Sequence, residues 1–308
     1  MSGRLHDDEV PVGIPLARSL VDRLGPPYAG LPLRRLDATG STNALFRLGD
    51  DLLVRIPRQP GGTETIEKER RWLPYVAASL PVPVPEIVAV GDPGYGYPER
   101  WSVVRWLDGD VPDSPTGSEE PRHALAHDLA AVVTALRKID VPARAQRDPA
   151  LRWYRGEPLA AMDDDVRRLL GECREIEGLD LDLGACTARW DEALTLPGAR
   201  RAGETRWYHG DLLAENLLVR DGRLAAVLDF GGLSVGDPTV DLAVAWDLLD
   251  VEARETFRRA SGAEDAAWLR ARAWALALAV MTFPYYWTTM PGRCAQRLAM
   301  VRGILADA

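Results

Sequence analysis

Apolar and polar positions alternate over short stretches in the first part of the chain and recur at helical spacing in the rest. Leu45 to Leu48 and Leu52 to Ile56 read as strands joined by Gly49-Asp50-Asp51, a hairpin-type turn signal. After the breaker Pro60-Gly61-Gly62, the residues Ile66, Leu73, Val76 and Ala77 fall roughly on one face. That spacing predicts a helix with Thr63 or Thr65 as N-cap. Pro74 lies inside the pattern and predicts a kink or a stop, because it lacks an amide proton. Pro81-Val82-Pro83-Val84-Pro85 is extended and leads to a strand near Ile87 to Val90. Trp101 to Leu107 reads as a buried strand, ended by Asp108-Gly109-Asp110.

A Pro/Gly/Ser-rich stretch, Val111 to Pro121, separates this β-rich part from a helical remainder. Helical patterns run from His123 to Ile139, from about Asp163 to Glu177, and from Leu183 to Leu194. Two short strands, Leu217 to Arg220 and Leu224 to Leu228, flank Asp221-Gly222 as in a hairpin. Helices are predicted again over Pro238 to Leu249, Ala266 to Val280 and Cys294 to Ala306. The expected fold class is therefore α+β, with a β-rich part over residues 1–108 and a helical part over 109–308.

Composition narrows the function classes. A length of 308 residues is too great for one comfortable core. The chain is 46% hydrophobic and 27% charged, an ordinary soluble balance, with no apolar run of the ~18 residues that span a bilayer. Met1 to Leu16 carries Asp7, Asp8 and Glu9 and does not read as a signal peptide. Cys173, Cys186 and Cys294 have unrelated spacings, which points to reduced thiols and a cytoplasmic protein without a membrane partner. A net charge of −9 lacks the basic footprint of a nucleic-acid binder. Most of that charge falls in residues 109–308, which suits a cationic small-molecule partner or serves solubility alone. Oligomeric state is left open.

The densest chemical signal is Trp207-Tyr208-His209-Gly210-Asp211 through Asn216-Leu217-Leu218-Val219, followed by Val227-Leu228-Asp229-Phe230-Gly231-Gly232. Phosphoryl transfer needs an acceptor hydroxyl held in line with the γ-phosphate and divalent charge bridging the phosphates. Asp211 is suited to orient that hydroxyl and take its proton. Asn216 offers a neutral amide oxygen, a hard ligand for Mg2+. The predicted hairpin returns the chain so that Asp229 joins it as the second ligand. A lone Asp beside Gly is usually a turn residue; the Asn, the hairpin and the Asp-Phe-Gly in register favour chemistry. His209 is assigned a scaffolding role.

With these motifs the chain resembles the aminoglycoside phosphotransferase family, relatives of the eukaryotic-like protein kinases, from roughly Gly40 to the C-terminus. The resemblance implies a two-lobed protein-kinase-like fold. Residues 1–108 would form a nucleotide-binding lobe, and residues 109–308 a larger helical lobe with the catalytic loop and the acceptor site. It implies ATP and Mg2+ as cofactors, with GTP not excluded. It assigns Asp211 as catalytic base and Asn216 and Asp229 as metal ligands. Gly236-Asp237-Pro238-Thr239-Val240-Asp241 also matches, with Asp241 bracing the catalytic loop and Asp237 capping the turn that Pro238 begins. Gly40-Ser41-Thr42-Asn43-Ala44 resembles the nucleotide-positioning loop, with Ser41 and Asn43 on the phosphate side. Val103 to Leu107 resembles the hinge, where the backbone of Val104 and Trp106 would meet adenine.

The departure is Arg55, which stands where the family has a strand lysine, with Glu69 as its helix partner. The planar guanidinium can grip phosphate and Glu69 together, at a longer reach. Lys68 is not expected to substitute, being next to Glu69 in the helix. On the acceptor side, Glu215 and Asp247 are candidates for an ammonium group, and Tyr286 and Trp287 for an apolar wall. The acidic run from Asp163 to Asp182 reads as a solvated helix face, and Trp246 and Trp274 as core. The leading expectation is an O-phosphotransferase acting on an aminoglycoside or a related amino-sugar. A macrolide, a cyclic-peptide antibiotic and a choline- or homoserine-type metabolite are the alternative acceptors. A nucleotide-binding pseudokinase is the reading from another class, motivated by Arg55 and opposed by the intact Asp211, Asn216 and Asp229.

Overall fold

The strands expected in the first part form one antiparallel sheet in a computed structural model, which describes residues 10–36, 42–113, 122–201 and 203–307. Helix α1 (Ile14–Asp22) precedes β1 (Leu33–Arg35), β2 (Asn43–Leu48), β3 (Leu52–Pro57), α2 (Gly62–Ala77), β4 (Ile87–Gly91) and β5 (Trp101–Arg105). The strand order is β1-β2-β3-β5-β4, with a register shift in β4 between Ile87 and Ala89. Period-two alternation on β2 buries Ala44, Phe46 and Leu48. They pack with Val54, Ile56, Trp101 and Val103 and with Ala17, Leu20 and Val21 of α1. These elements make one unit, to which residues 226–231 also belong; the Val227 N–H donates to Pro83 O at 3.1 Å.

The start of α2 departs from expectation. Its N-cap is Gly61, in the left-handed region at φ 94°, and neither Thr63 nor Thr65 caps it. Glu99 supplies the cap instead, its carboxylate accepting from Thr63 N at 2.9 Å, Thr63 Oγ1 at 2.5 Å and Gly61 N at 3.3 Å. Thr63 Oγ1 in turn accepts from Arg100 N at 2.9 Å. Pro74 does not stop the helix, which runs on to Ala77. It falls in the last turn, where a missing amide proton costs only one ladder bond.

The second unit is helical: residues 79–82, 110–225 and 232–308. It contains α3 (His123–Lys138), α4 (Ala143–Gln146), α5 (Asp163–Cys173), α6 (Leu183–Leu194), β6 (Arg206–Tyr208), β7 (Leu217–Arg220), β8 (Arg223–Val227), whose last two residues pass into the first unit, and β9 (Ser234–Gly236). Then come α7 (Val244–Leu248), α8 (Val251–Ser261), α9 (Asp265–Tyr286) and α10 (Pro291–Ala306). Every residue of α9 from Ala271 to Val280 is buried, and α5, α6 and α10 pack around it. A helix apolar on all sides belongs at the centre. The predicted helix from Pro238 to Leu249 is a 3-10 segment, Pro238–Ala243, followed by α7, with Asp237 accepting from Thr239 N at 3.0 Å. The three cysteines are buried, and burial pushes the Cys173 and Cys186 thiols up to about 12. Among the described residues no helix is long and apolar enough to cross a membrane.

Replacing Glu99 with alanine orphans the first amides of α2 and lowers stability by about 1–2 kcal/mol, read by urea unfolding. Hydrogen bonds from Thr63, side chain first, hold the Glu99 pKa below its usual value despite partial burial. The contribution is therefore present at neutral pH and fades as pH falls below ~4 through the folded-state pKa. Glu99→Ala should lose that acid sensitivity along with the stability.

Candidate active site

In the first unit, β3 and α2 bring Arg55 and Glu69 together as an enclosed ion pair. Arg55 Nη2 bonds Glu69 Oε2, Nη1 reaches Oε1 at 3.4 Å, and Nε donates to Ser102 Oγ at 3.2 Å. Burial on its own would lower the Arg55 pKa, but Glu69, with Asp229 further off, raises it. The guanidinium is charged and its fork is largely committed to Glu69. Lys68, set aside on sequence grounds, points from the same helix to the Gly231 carbonyl oxygen. It thereby tethers the Asp229-Phe230-Gly231 turn. Asp229 holds φ at 51°, unusual for a residue with a Cβ, and its Oδ1 accepts from Gly231 N at 3.2 Å.

The other expected nucleotide contacts fare unevenly. Ser41 lies outside the described residues. Asn43 begins β2 opposite Pro57 and donates to Thr42 Oγ1 at 3.2 Å. Val104 lies in β5 between β3 and β4, paired with Leu53 and Ile87. The Trp106 N–H, part of the backbone expected at adenine, donates to Asp51 O at 2.8 Å. The reason is that the chain leaving β5 continues alongside the turn before β3, which takes that amide. The Trp106 indole donates to Asp108 at 2.7 Å and lies under the Arg47 guanidinium, 3.6 Å from the ring centroid.

In the second unit, β6 pairs with β9 and delivers the chain into the loop carrying Asp211. The loop is irregular, so its amides need side-chain acceptors. Asp241 takes two of them, His209 N at 2.7 Å and Gly210 N at 2.8 Å. Gly210 is at φ 83°, and a Cβ there would fall 2.6 Å from the Trp153 ring, so glycine is required twice over. His209 is fully buried, and its Nδ1 accepts from Asp211 N at 3.2 Å, the scaffolding role expected of it. Asn216 turns its amide nitrogen to Asp211, donating to the backbone O and to Oδ2, both at 2.9 Å. The amide oxygen is thereby left facing away, the correct end for a hard cation. Asp211 also pairs through Oδ1 with Arg155. Burial would raise the Asp211 pKa, but Arg155, with smaller help from His209 and Arg297, brings it below the usual carboxylate range.

Asp247 and Glu215, expected to face an acceptor, are instead held by arginines. Asp247 is 6% exposed; it accepts from Ala214 N at 2.7 Å and pairs with Arg297. Glu215 receives Arg297 Nη2 on both oxygens at 2.8 Å and Arg293 at 3.2 Å. Burial would lower the Arg297 pKa, but the two carboxylates raise it, so Arg297 is charged. Chain geometry is the cause: α10 lays a cation across the carboxylates that α7 and the loop present. Tyr286 is half-buried and 5.3 Å from Arg293, Tyr285 beside it is 55% exposed, and the Trp287 indole donates to Glu177 O at 3.2 Å.

The phosphotransferase enzyme family, APH, matches residues 34–274. The chain belongs to that family. No curated protein matches it, but solved structures do. The GDP complex of aminoglycoside 2'-phosphotransferase-IIIa superposes with a TM-score of 0.70 at 18% identity, over 94% of this chain and 98% of that one. The gentamicin–APH(2")-IIa complex gives 0.64 at 18% identity over 97% and 98%. Macrolide 2'-phosphotransferase MphH from Brachybacterium faecium gives 0.61 at 24% identity over 95% and 98%. At these identities the likeness establishes the fold, α+β with a β-rich first part and a helical remainder, as in kinase-like phosphotransferases.

Several residues that shape this phosphotransferase escape sequence reasoning: Arg155, Arg293, Arg297, Lys68 and Ser102. Each reaches a partner through a long separation in the chain, and no local spacing signals that. The acidic run from Asp163 to Asp182 behaves as a solvated face, with Asp163, Asp165 and Glu172 paired to Arg167 and Arg168 on the same helix. Among the described residues no group of three or more His, Cys, Asp or Glu is placed to hold a metal. Asn216 and Asp229 are hard oxygen donors of the kind Mg2+ takes alongside phosphate oxygens and water. Removing Arg297 as Arg297→Met leaves the buried Asp247 carboxylate without its arginine and Glu215 with Arg293 alone. It should cost about 3–5 kcal/mol of stability by chemical denaturation; a loss below ~1 kcal/mol would show that the trio is not needed to hold the loop.

Proposed function

We propose that the chain transfers the γ-phosphate of Mg-ATP to a hydroxyl of an amino-sugar antibiotic or a related compound, with Asp211 as catalytic base. The observation that carries this reading is the Asp211 carboxylate, ionised at neutral pH, one third exposed, and held by Asn216 on a loop braced by Asp241. A fixed carboxylate in that state can orient a hydroxyl and accept its proton as the phosphoryl group moves. Asn216 and Asp229 are read from the motif as the Mg2+ ligands, which would supply the charge that offsets the phosphates. Arg55 takes the place of the family lysine, steered by Glu69. Nucleotide use is supported by related structures solved as complexes with GDP, ADP and ATP, so GTP is tested beside ATP.

On the acceptor, one observation favours a second reading. Glu215 and Asp247 are neutralised by Arg293 and Arg297 and are not offered to ammonium groups. An acceptor with several ammoniums would find few unpaired carboxylates there, whereas a macrolide with a single amine asks for fewer. The exposed Tyr285 ring supports that reading as an apolar contact.

A phosphotransfer screen over aminoglycosides, macrolides and small amino alcohols tests the reaction; turnover with none of them would sink it. With the best acceptor, Asp211→Ala should lower kcat by ~100-fold or more while leaving nucleotide binding intact by calorimetry. Asp229→Asn should abolish the Mg2+ dependence of nucleotide affinity, and retained dependence would place the metal elsewhere. Arg55→Lys should hold or raise activity, whereas an Arg55→Ala variant indistinguishable from wild type would remove Arg55 from the phosphates.

A further inference from the structure

A cavity of about 570 Å3 opens beside α3, within the second unit, and its lining shares no residue with the site around Asp211. That size lies in the range of small-molecule sites, ~300–1,000 Å3. One wall is a stripe of the helix. His127, Ala131, Thr134 and Lys138 follow each other at helical spacing, which stacks them along one side of α3. Ala130, Ala131 and Ala135, with Ala260 of α8, keep the floor low, and the missing side-chain volume is the hollow. The polar lining is Ser79, His127, Thr134 and Lys138, with no carboxylate among it. In a chain of 46 acidic and 37 basic residues, an acid-free hollow with an ammonium at one end selects for negative charge. Two polar groups there lack partners. Lys138 is exposed and makes no hydrogen bond or ion pair among the described residues. Its place at the end of α3 suits the helix dipole, which explains a cation there but leaves its donors free. Thr187, Thr256 and Thr282 each bond the carbonyl oxygen four residues back, at 2.8, 3.2 and 2.9 Å. Thr134 does not: its Oγ1 is shut off from water and has no hydrogen-bond partner.

We propose that this cavity binds a small organic anion, a flat ring bearing a phosphate or a carboxylate, with the anionic group at Lys138 and Thr134 and the ring on the alanine floor toward His127. Lys138 and Thr134 are one helical turn apart, so a single anionic group meets both. Its oxygens accept from the ammonium and from the threonine hydroxyl, which turns into the cavity by a change of χ1 well. That contact supplies the partner the Thr134 hydroxyl lacks. His127 lies two turns before Thr134, about 10 Å along the axis, which leaves room for one or two rings. Alanine methyls offer such a ring an even apolar surface, and Ser79 adds a further hydroxyl to the wall. The site is independent of the reaction proposed above.

The test uses the intact chain, with phenyl phosphate and benzoate as probes read by calorimetry, in the absence and presence of ADP. Wild type should bind at least one probe, and ADP should leave that binding unchanged. Lys138→Ala should weaken it by about tenfold, the effect of removing a charged donor. Ala131→Trp, at an exposed position, fills the hollow and should abolish binding. A second readout needs no variant, because Lys68 and Lys138 are the two lysines of the chain. Under acetic anhydride, followed by peptide mass spectrometry, the bound probe should slow acetylation of Lys138 and leave that of Lys68 unchanged. Binding of both probes assigns the site to either anionic group, and binding of one alone narrows it to that group. The inference is overturned if neither probe binds, if ADP displaces the probe, or if Lys138→Ala and Ala131→Trp both leave binding intact. Protection of Lys68 with Lys138 unprotected overturns it equally.

Discussion

A guanidinium enclosed by protein keeps its charge only when carboxylates meet it, and in this chain Arg297, 1% exposed, satisfies that constraint with Asp247 and Glu215. The rest of the second unit's site follows from it. The loop around Asp211 has no regular hydrogen-bond ladder, so aspartates accept its amides: Asp241 for His209 and Gly210, Asp247 for Ala214. Those same aspartates import negative charge into a dry place. Burial accordingly raises the Asp241 pKa, and Asp247 is tolerated beside Glu215 because Arg297 sits between them. The loop around Asp211 is thus fixed by a helix at the far end of the sequence.

The first unit solves a smaller version of the problem. Arg55 and Glu69 are both enclosed, and Ser102 takes the remaining Nε donor. The pair joins a strand to a helix and leaves the guanidinium oriented rather than mobile. Lys68 extends the same helix's reach to the turn that holds Asp229 in its left-handed backbone. Helix α2 therefore carries two different cationic contacts, one direct through Lys68 and one through the partner of Glu69.

Local pattern was enough to read much of this. The bounds of α6 match the apolar spacing from Leu183 to Leu194, and the strands β2, β3 and β7 fall within a residue or two of their predicted runs. The loop motif located Asp211 and Asn216, and the pairing of Arg55 with Glu69 followed from strand and helix positions. Other features left no local trace. Helix α1 is short, with Pro15 in its first turn, and it buries only Ala17, Leu20 and Val21, while the buried positions of α8 include the polar Thr256 and Ser261, so neither offers a long apolar run to read. The pairing of Asp247 was not legible, because sequence shows that a carboxylate is near the loop, not that Arg297, 50 residues later, already holds it. Arg155 was invisible for the same reason, lying 56 residues from Asp211.

The cap on α2 has a consequence for the order in which the chain is made. Gly61 offers the helix no side chain, and its substitute, Glu99, lies 36 residues beyond Thr63. A ribosome adding ~5–20 residues per second takes roughly 2–7 s to cover that distance. Through that interval the first turn of α2 exists without its acceptor, and short helices lacking tertiary support are marginal in water. The segment that carries Glu69 toward Arg55 is therefore completed only after the approach to β5 has been synthesised, so the ion pair of the first unit forms late during translation.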